Sequence, residues 1–214
     1  MTRRPILIAA LLFLPSVLYA APRPSVPGAS HTTPIIDCFG DSITAGYGVA
    51  PGHTYPDDLQ RDLDARGYRY RVVNSGISGN TTKDGVDRLQ EVIRLHPAIV
   101  IVEFGGNDGL RGIPITDTRR NLDTIVSTLL HGGSKVILAG ITLPPNYGPD
   151  YIHQFDETYR IAAAKYHVPL LPMLYANIYT VPGAVQEDGI HPTAKGDILL
   201  AESFLPFLLP LLHK

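Results

Sequence analysis

The chain has 214 residues, 44% of them hydrophobic and 18% charged, with 20 glycines, 19 prolines and a net charge of −2. That composition suits one globular domain with many short connections and excludes a collagen-like or disordered polymer. A sequence pI near 6.4 leaves no general basic field for nucleic acid, and no dinucleotide-binding or P-loop glycine fingerprint occurs.

The chain opens with Arg3 and Arg4, an almost wholly apolar run over residues 6–18, and then Leu18-Tyr19-Ala20. A positive start, a short apolar centre and a small final residue are the layout of a secretory signal peptide over residues 1–20. The apolar run is short for a membrane span. Thr2-Arg3-Arg4 also admits a twin-arginine signal, although Pro5 follows. The expected product is periplasmic or secreted, keeps no membrane span, and carries a net charge of about −4 once the two arginines are gone. Residues 21–33 contain Pro and Ser without periodicity and read as a flexible linker. The folded domain is expected over residues 34–214.

Within that domain short apolar runs alternate with amphipathic stretches. Strands are expected at 34–39, 70–73, 98–104 and 135–140, with a short fifth at 168–171. Helical patterns cover 55–66, 83–95, 116–131 and 150–167. The second of these sets Val86, Leu89 and Ile93 on one face at the 3.6-residue period, and Thr116 and Thr193 are candidate N-caps for the third helix and for a last one. Such alternation implies a parallel sheet covered on both faces. Cys38, the one cysteine, permits no internal disulfide and reads as core. The greasy run 204–212 is interrupted by Pro206 and Pro210, and is expected to pack back on the sheet rather than enter a membrane.

In open α/β sheets ligands bind beyond the carboxyl ends of the strands. After the first strand comes Gly40-Asp41-Ser42, after the second Asn74-Ser75-Gly76-Ile77-Ser78-Gly79-Asn80, and after the third Gly105-Gly106-Asn107-Asp108. Asp188-Gly189-Ile190-His191-Pro192 precedes the last helix. A serine hydroxyl needs a neighbouring base, and that base needs an orienting carboxylate. Ser42 is the candidate nucleophile, His191 the base and Asp188 its partner across a tight turn. The Asn107 side chain and the backbone N–H groups of Gly79 and Ser42 are candidate oxyanion donors. Each element alone also fits a plain loop or helix cap; their joint occurrence at four strand ends or helix starts carries the argument.

These segments resemble, in the same order, the sequence blocks of the SGNH hydrolases, also called GDSL lipases and esterases. Ser42 matches the block-one serine, Gly79 the block-two glycine, Asn107 the block-three asparagine, and Asp188 with His191 the block-five pair. Ile43 stands where the family's name has leucine, a conservative departure. Gly76 competes with Gly79 within block two. The family pattern favours Gly79, because a short polar residue and a threonine follow it in Gly79-Asn80-Thr81. Glu103-Phe104-Gly105-Gly106-Asn107-Asp108-Gly109-Leu110-Arg111-Gly112 and Leu143-Pro144-Pro145-Asn146-Tyr147-Gly148 resemble the bacterial periplasmic thioesterase, lysophospholipase and arylesterase branch. The resemblance runs from about Ile35 to the end of the chain. It implies a three-layer α/β/α sandwich of SGNH or flavodoxin-like type, no metal or other cofactor, and hydrolysis of aryl esters, lysophospholipids and acyl thioesters through an acyl-serine. The expected partner is a small acyl ester or lysophospholipid, taken by a monomer.

Three rival readings stand beside this one. A metallophosphoesterase would need several converging His and carboxylate ligands, and only His191 stands inside a motif. A non-catalytic module on the same fold would be expected to lack a triad member. A carbohydrate O-acetyl esterase would be expected to carry aromatics for sugar stacking, and the chain has no Trp and six Phe. Leu110, Arg111, Pro144 and Tyr147 are candidate substrate-wall residues, with Tyr151 nearby. Arg111 is a candidate for a phosphate headgroup or, equally, for a surface ion pair. Activity is expected to fall as the His191 imidazole takes a proton.

Overall fold

The structure, a computed structural model, describes residues 33–214. The expected signal peptide and nearly all of the expected linker lie outside the described residues. Five strands, β1 (Ile35–Gly40), β2 (Arg71–Asn74), β3 (Ile99–Glu103), β4 (Lys135–Ala139) and β5 (Leu170–Leu171), pair in the order β2-β1-β3-β4-β5, and every pair is parallel. Between and after them lie α1 (Ser42–Ala45), α2 (Tyr55–Ala65), α3 (Thr82–Arg94), α4 (Gly106–Leu110), α5 (Ile115–His131), α6 (Pro149–Tyr166) and α7 (Ala194–Leu208).

The central strands are buried on both faces, which is why they read as continuous aliphatic runs such as Ile99-Val100-Ile101-Val102. Successive side chains nevertheless enter different cores. Ile36, Cys38, Ile99, Ile101 and Ile137 pack with Leu59 and Leu63 of α2 and with Leu200 and Phe204 of α7. Phe39, Val100, Val102, Val136 and Leu138 pack on the opposite face with Leu89 of α3, Leu122 and Ile125 of α5, and Phe155 of α6. The result is the three-layer α/β/α sandwich. Cys38 is fully buried, and burial pushes its thiol far above the ordinary range.

Helix starts follow from local chemistry. The Asp57 carboxylate accepts the Thr54 N–H at 3.0 Å at the start of α2, and Asp84 accepts the Thr81 N–H at 2.8 Å at the start of α3. Thr193 caps α7 by accepting the Gly196 N–H at 3.3 Å. Thr116 does not cap α5: the helix begins one residue earlier, at Ile115, with Pro114 in the cap position and its φ fixed by the ring. On α3 the buried stripe is Thr82, Gly85, Leu89 and Val92, so Val86 and Ile93 flank it half-buried. In the tail, Phe204, Leu205, Leu208 and Leu212 are buried. Among the described residues no helix is long and apolar enough to cross a membrane.

The strand order reverses between β1 and β3. Chains leaving these neighbouring strands depart to opposite faces, opening a crevice at their carboxyl ends. The single-turn helices α1 and α4 begin there, two residues past Gly40 and three past Glu103 respectively.

Candidate active site

Ser42 is the first residue of α1. Asp41 caps that turn, its Oδ1 accepting the Ile43 N–H at 3.1 Å. The Ser42 Oγ lies 2.9 Å from His191 Nε2, and His191 Nδ1 lies 2.7 Å from Asp188 Oδ2. The other Asp188 oxygen accepts the backbone N–H groups of Ile190 at 2.9 Å and His191 at 3.0 Å. Burial pushes the Asp188 carboxyl up. The hydrogen bonds from the His191 ring and the two backbone N–H groups outweigh that effect and hold it at about 2. This loop is further fixed by the Tyr175 hydroxyl, which donates to the Ile190 carbonyl at 2.7 Å, and by the Gln186 N–H, which donates to the His191 carbonyl at 2.8 Å. The Tyr47 ring packs against the imidazole with centroids 4.6 Å apart.

Asn107, on α4, lines the crevice beside Ser42, whereas Gly79, on the loop after β2, is not among its lining residues. Among the described residues the backbone N–H groups of Ser42 and Gly79 have no protein acceptor. Gly79 sits at φ +83°, in the left-handed region that glycine favours. The Asn107 Nδ2 donates to Asp41 Oδ2 and to the Asn80 carbonyl, both at 3.0 Å. The two loops are tied together by Asp108, fully buried, which accepts the Thr82 N–H at 2.8 Å and hydroxyls from Thr82 at 2.5 Å and Thr118 at 3.2 Å. Arg111 donates to the Gly79 carbonyl at 2.9 Å, so its guanidinium is turned toward the block-two loop.

Beneath α1 lies a second carboxyl group, Glu103, the last residue of β3, paired in register with Gly40. Its Oε2 accepts the Thr44 hydroxyl at 2.8 Å and the Asp41 N–H at 3.3 Å. A Cβ on residue 40 would stand 2.7 Å from both the Glu103 carbonyl oxygen and Oε2, so only glycine admits this carboxyl under the turn. Burial, reinforced by the Asp41 charge, drives the Glu103 carboxyl well above the ordinary range.

The crevice opens into a cleft of about 590 Å³, part of it open to solvent, lined by Ser42 and His191 and by Ile43, Leu110, Ile141, Leu143, Pro144, Tyr175, Tyr179 and Ile190 among others. Of the substrate-wall expectations, Leu110 and Pro144 line the cleft. Arg111 and Tyr147 are not among its lining residues; the Tyr147 hydroxyl donates to the Leu110 carbonyl at 2.9 Å and so braces the wall from behind. Tyr151 stacks on Tyr147, with centroids 6.3 Å apart. Sequence reasoning missed Tyr175 and Tyr179, which stack with centroids 4.9 Å apart. Their four-residue spacing after the short fifth strand was the available signal. It also missed Glu103, a lone acid closing an aliphatic strand. Among the described residues no group of three or more His, Cys, Asp or Glu side chains is set to hold a metal ion.

Comparison with known proteins agrees with this geometry. Residues 38–197 match the profile of the GDSL-like Lipase/Acylhydrolase family. The chain is 42% identical over 174 residues to Esterase TesA of Pseudomonas aeruginosa, covering 81% of this chain and 87% of that protein. It is 36% identical over 175 residues to the Thioesterase 1/protease 1/lysophospholipase L1 of Escherichia coli, covering 81% and 83%. A crystal structure of TesA superposes with a TM-score of 0.80 at 41% identity, over 83% of this chain and 99% of that one. The chain therefore belongs to the GDSL-like lipase/acylhydrolase family and is a carboxylic-ester hydrolase.

Proposed function

We propose that the chain hydrolyses acyl esters by a serine mechanism, with Ser42 as nucleophile, His191 as general base and acid, and Asp188 as the carboxylate that orients the imidazole. The observation that carries this reading is the continuous hydrogen-bonded line from Asp188 through His191 to Ser42, at 2.7 and 2.9 Å, ending at the mouth of an apolar cleft. Ser42 Oγ attacks the carbonyl carbon of the ester and its proton passes to His191 Nε2. Negative charge on the carbonyl oxygen is met by the Ser42 and Gly79 backbone N–H groups and by Asn107 Nδ2. The bond to the leaving oxygen or sulfur then breaks, the leaving group takes the proton from His191, and an acyl-Ser42 remains. Water attacks that acyl group with His191 again taking the proton, and the free acid departs. Asp188 stays ionised throughout and stabilises the imidazolium formed in each half.

Aryl esters, lysophospholipids and acyl thioesters are the proposed substrate classes. The apolar wall of Leu110, Ile141, Leu143 and Pro144 suits an acyl chain better than a sugar, and Arg111, just after α4, is engaged with Gly79 rather than free for a headgroup. The reading also includes export to the periplasm or beyond through residues 1–20.

The test is hydrolysis of p-nitrophenyl esters from acetate to palmitate by the purified protein beside Ser42→Ala, at the same concentrations. The expected outcome is a maximum at medium chains and a loss of at least about 10⁴-fold in the variant. Turnover of acetate alone would favour a deacetylase, and full activity in Ser42→Ala would overturn the serine assignment.

A further inference from the structure

The mechanism uses three oxyanion donors, and one of them has an orientation problem. A carboxamide presents an N–H on one side and an oxygen on the other. Turned by half a rotation, Asn107 would face a developing oxyanion with its own oxygen and repel it. Something must therefore distinguish its nitrogen from its oxygen. One Nδ2–H is held by Asp41 Oδ2 and the other rests on the Asn80 carbonyl, each at 3.0 Å, and it is this second hydrogen that an oxyanion would take over. Once the oxyanion has drawn the second N–H from the Asn80 carbonyl, Asp41 is left to make the distinction, and it does so only while it acts purely as an acceptor.

Whether Asp41 is purely an acceptor depends on the carboxyl group beside it. Asp41 and Glu103 are 2% and 1% exposed, and the Asp41 N–H donates to Glu103 Oε2 at 3.3 Å. Two adjacent buried carboxyls cannot both be ionised, so the pair holds one proton. The geometry says where it sits. Asp41 Oδ1 and Oδ2 each receive an N–H, from Ile43 and Asn107. Glu103 Oε2 receives the Thr44 hydroxyl, itself paired with the Tyr55 hydroxyl at 3.1 Å, and the Asp41 N–H. Glu103 Oε1 is buried and receives no donor. It is the one oxygen of the four that receives no donor, which makes it the place for the shared proton. The other titratable groups facing the pair are Tyr55, Tyr159, Tyr175 and His191, and none of the tyrosines supplies a positive charge that would ionise both acids.

We propose that Glu103 is a positioning residue that acts on the Asn107 carboxamide through the Asp41 side chain. Glu103 donates its acid proton to Asp41; Asp41, thereby kept an acceptor, holds Asn107 with its nitrogen toward the oxyanion. With the proton on Asp41 instead, the acid O–H would face Asn107 and draw the amide oxygen toward itself. The proposal rests on the serine reading above and assigns Glu103 no contact with substrate.

The test compares the purified parent with Ser42→Ala, Glu103→Leu, Glu103→Asp and Glu103→Gln, using p-nitrophenyl butyrate and the transition-state mimic hexyl trifluoromethyl ketone. Glu103→Leu removes the donor at similar volume, and Glu103→Asp withdraws it by one methylene while keeping the pocket polar, so it serves should the leucine variant not fold. Both are expected to lower kcat by at least about tenfold, less than deletion of a full oxyanion donor, with KM changed less than about twofold. Ketone binding should weaken by the same factor as kcat/KM. Gln donates from its nitrogen to Asp41 and accepts from Thr44 through its oxygen, and is expected to restore kcat to within about threefold of the parent. The proposal is overturned if the folded Leu or Asp variant keeps parental kcat, if the loss lies in KM alone, or if Gln is as impaired as Asp at the same Tm. Parental activity in Ser42→Ala would instead overturn the serine reading itself, which separates the two failures.

Discussion

The two halves of the site are built in opposite ways. The Asp188–His191 half is a local turn: the carboxylate accepts from residues two and three positions onward, and its side chain remains 38% exposed. The nucleophile and oxyanion half is assembled from distant segments, with Asp41 bonded to Asn107 across 66 positions and to Glu103 across 62, and its carboxyls are buried. Exposure and backbone donors keep Asp188 charged; burial beside a like group keeps Glu103 neutral. The same functional group thus serves once as an anion and once as an acid, and environment alone makes the difference.

The sharpest way to break the comparison is to neutralise the exposed carboxylate. Asp188→Asn is expected to lower kcat by about 10⁴-fold with little change in KM, because the amide no longer selects the imidazole tautomer that accepts the Ser42 proton; steady-state kinetics on p-nitrophenyl butyrate would read it. With its carboxyl held at about 2, Asp188 contributes stability that is present above the ordinary carboxylate range and is lost only as pH falls through about 2. Next in size, Asn107→Ala is expected to cost about 10²–10³-fold in kcat, since two backbone donors remain; a loss confined to KM would remove Asn107 from the oxyanion site. The smallest effect concerns another buried acid. Asp197 on α7 is fully buried, and burial, with the Asp58 charge nearby, raises it to about 7. Its sign is the reverse of that of Asp188: stability is greatest below the ordinary carboxylate range and falls as pH rises through about 7. Asp197→Asn should therefore raise Tm by about 2–4 °C at pH 8 and progressively less toward pH 4. A Tm difference that does not vary with pH would show that the charge is not the cause.

This division also explains what the sequence disclosed. The aliphatic runs that became β1, β3 and β4 were legible because both faces of a parallel sheet are buried, and Asp188 with His191 was legible because the turn joining them is short. The Ser42, Gly79 and Asn107 segments stood out as polar, Gly-rich breaks after strands. Thr116 misled because a threonine before a helical pattern resembles a cap, whereas Pro114 had already fixed the start of α5. Arg111 and Tyr147 were expected to face substrate from proximity in sequence alone, and their side chains turn to the Gly79 and Leu110 carbonyls instead. Glu103, Tyr175 and Tyr179 act across the fold, and a single sequence carries no record of which distant side chains meet.

The space beneath the nucleophile turn has a consequence for how this enzyme can change. Most of its left-handed glycines, such as Gly52, Gly67 and Gly183, face open room on the Cβ side, and substitutions there cost backbone strain that other mutations can offset. Residue 40 is different in kind. Shrinking Glu103 and Thr44 would clear their side chains, but the Glu103 carbonyl would still lie 2.7 Å from a new Cβ, and that oxygen belongs to the strand itself. No second-site change short of moving β3 rescues the position. A library randomised at 40, 44 and 103 together should return varied pairs at the latter two and glycine every time at the first.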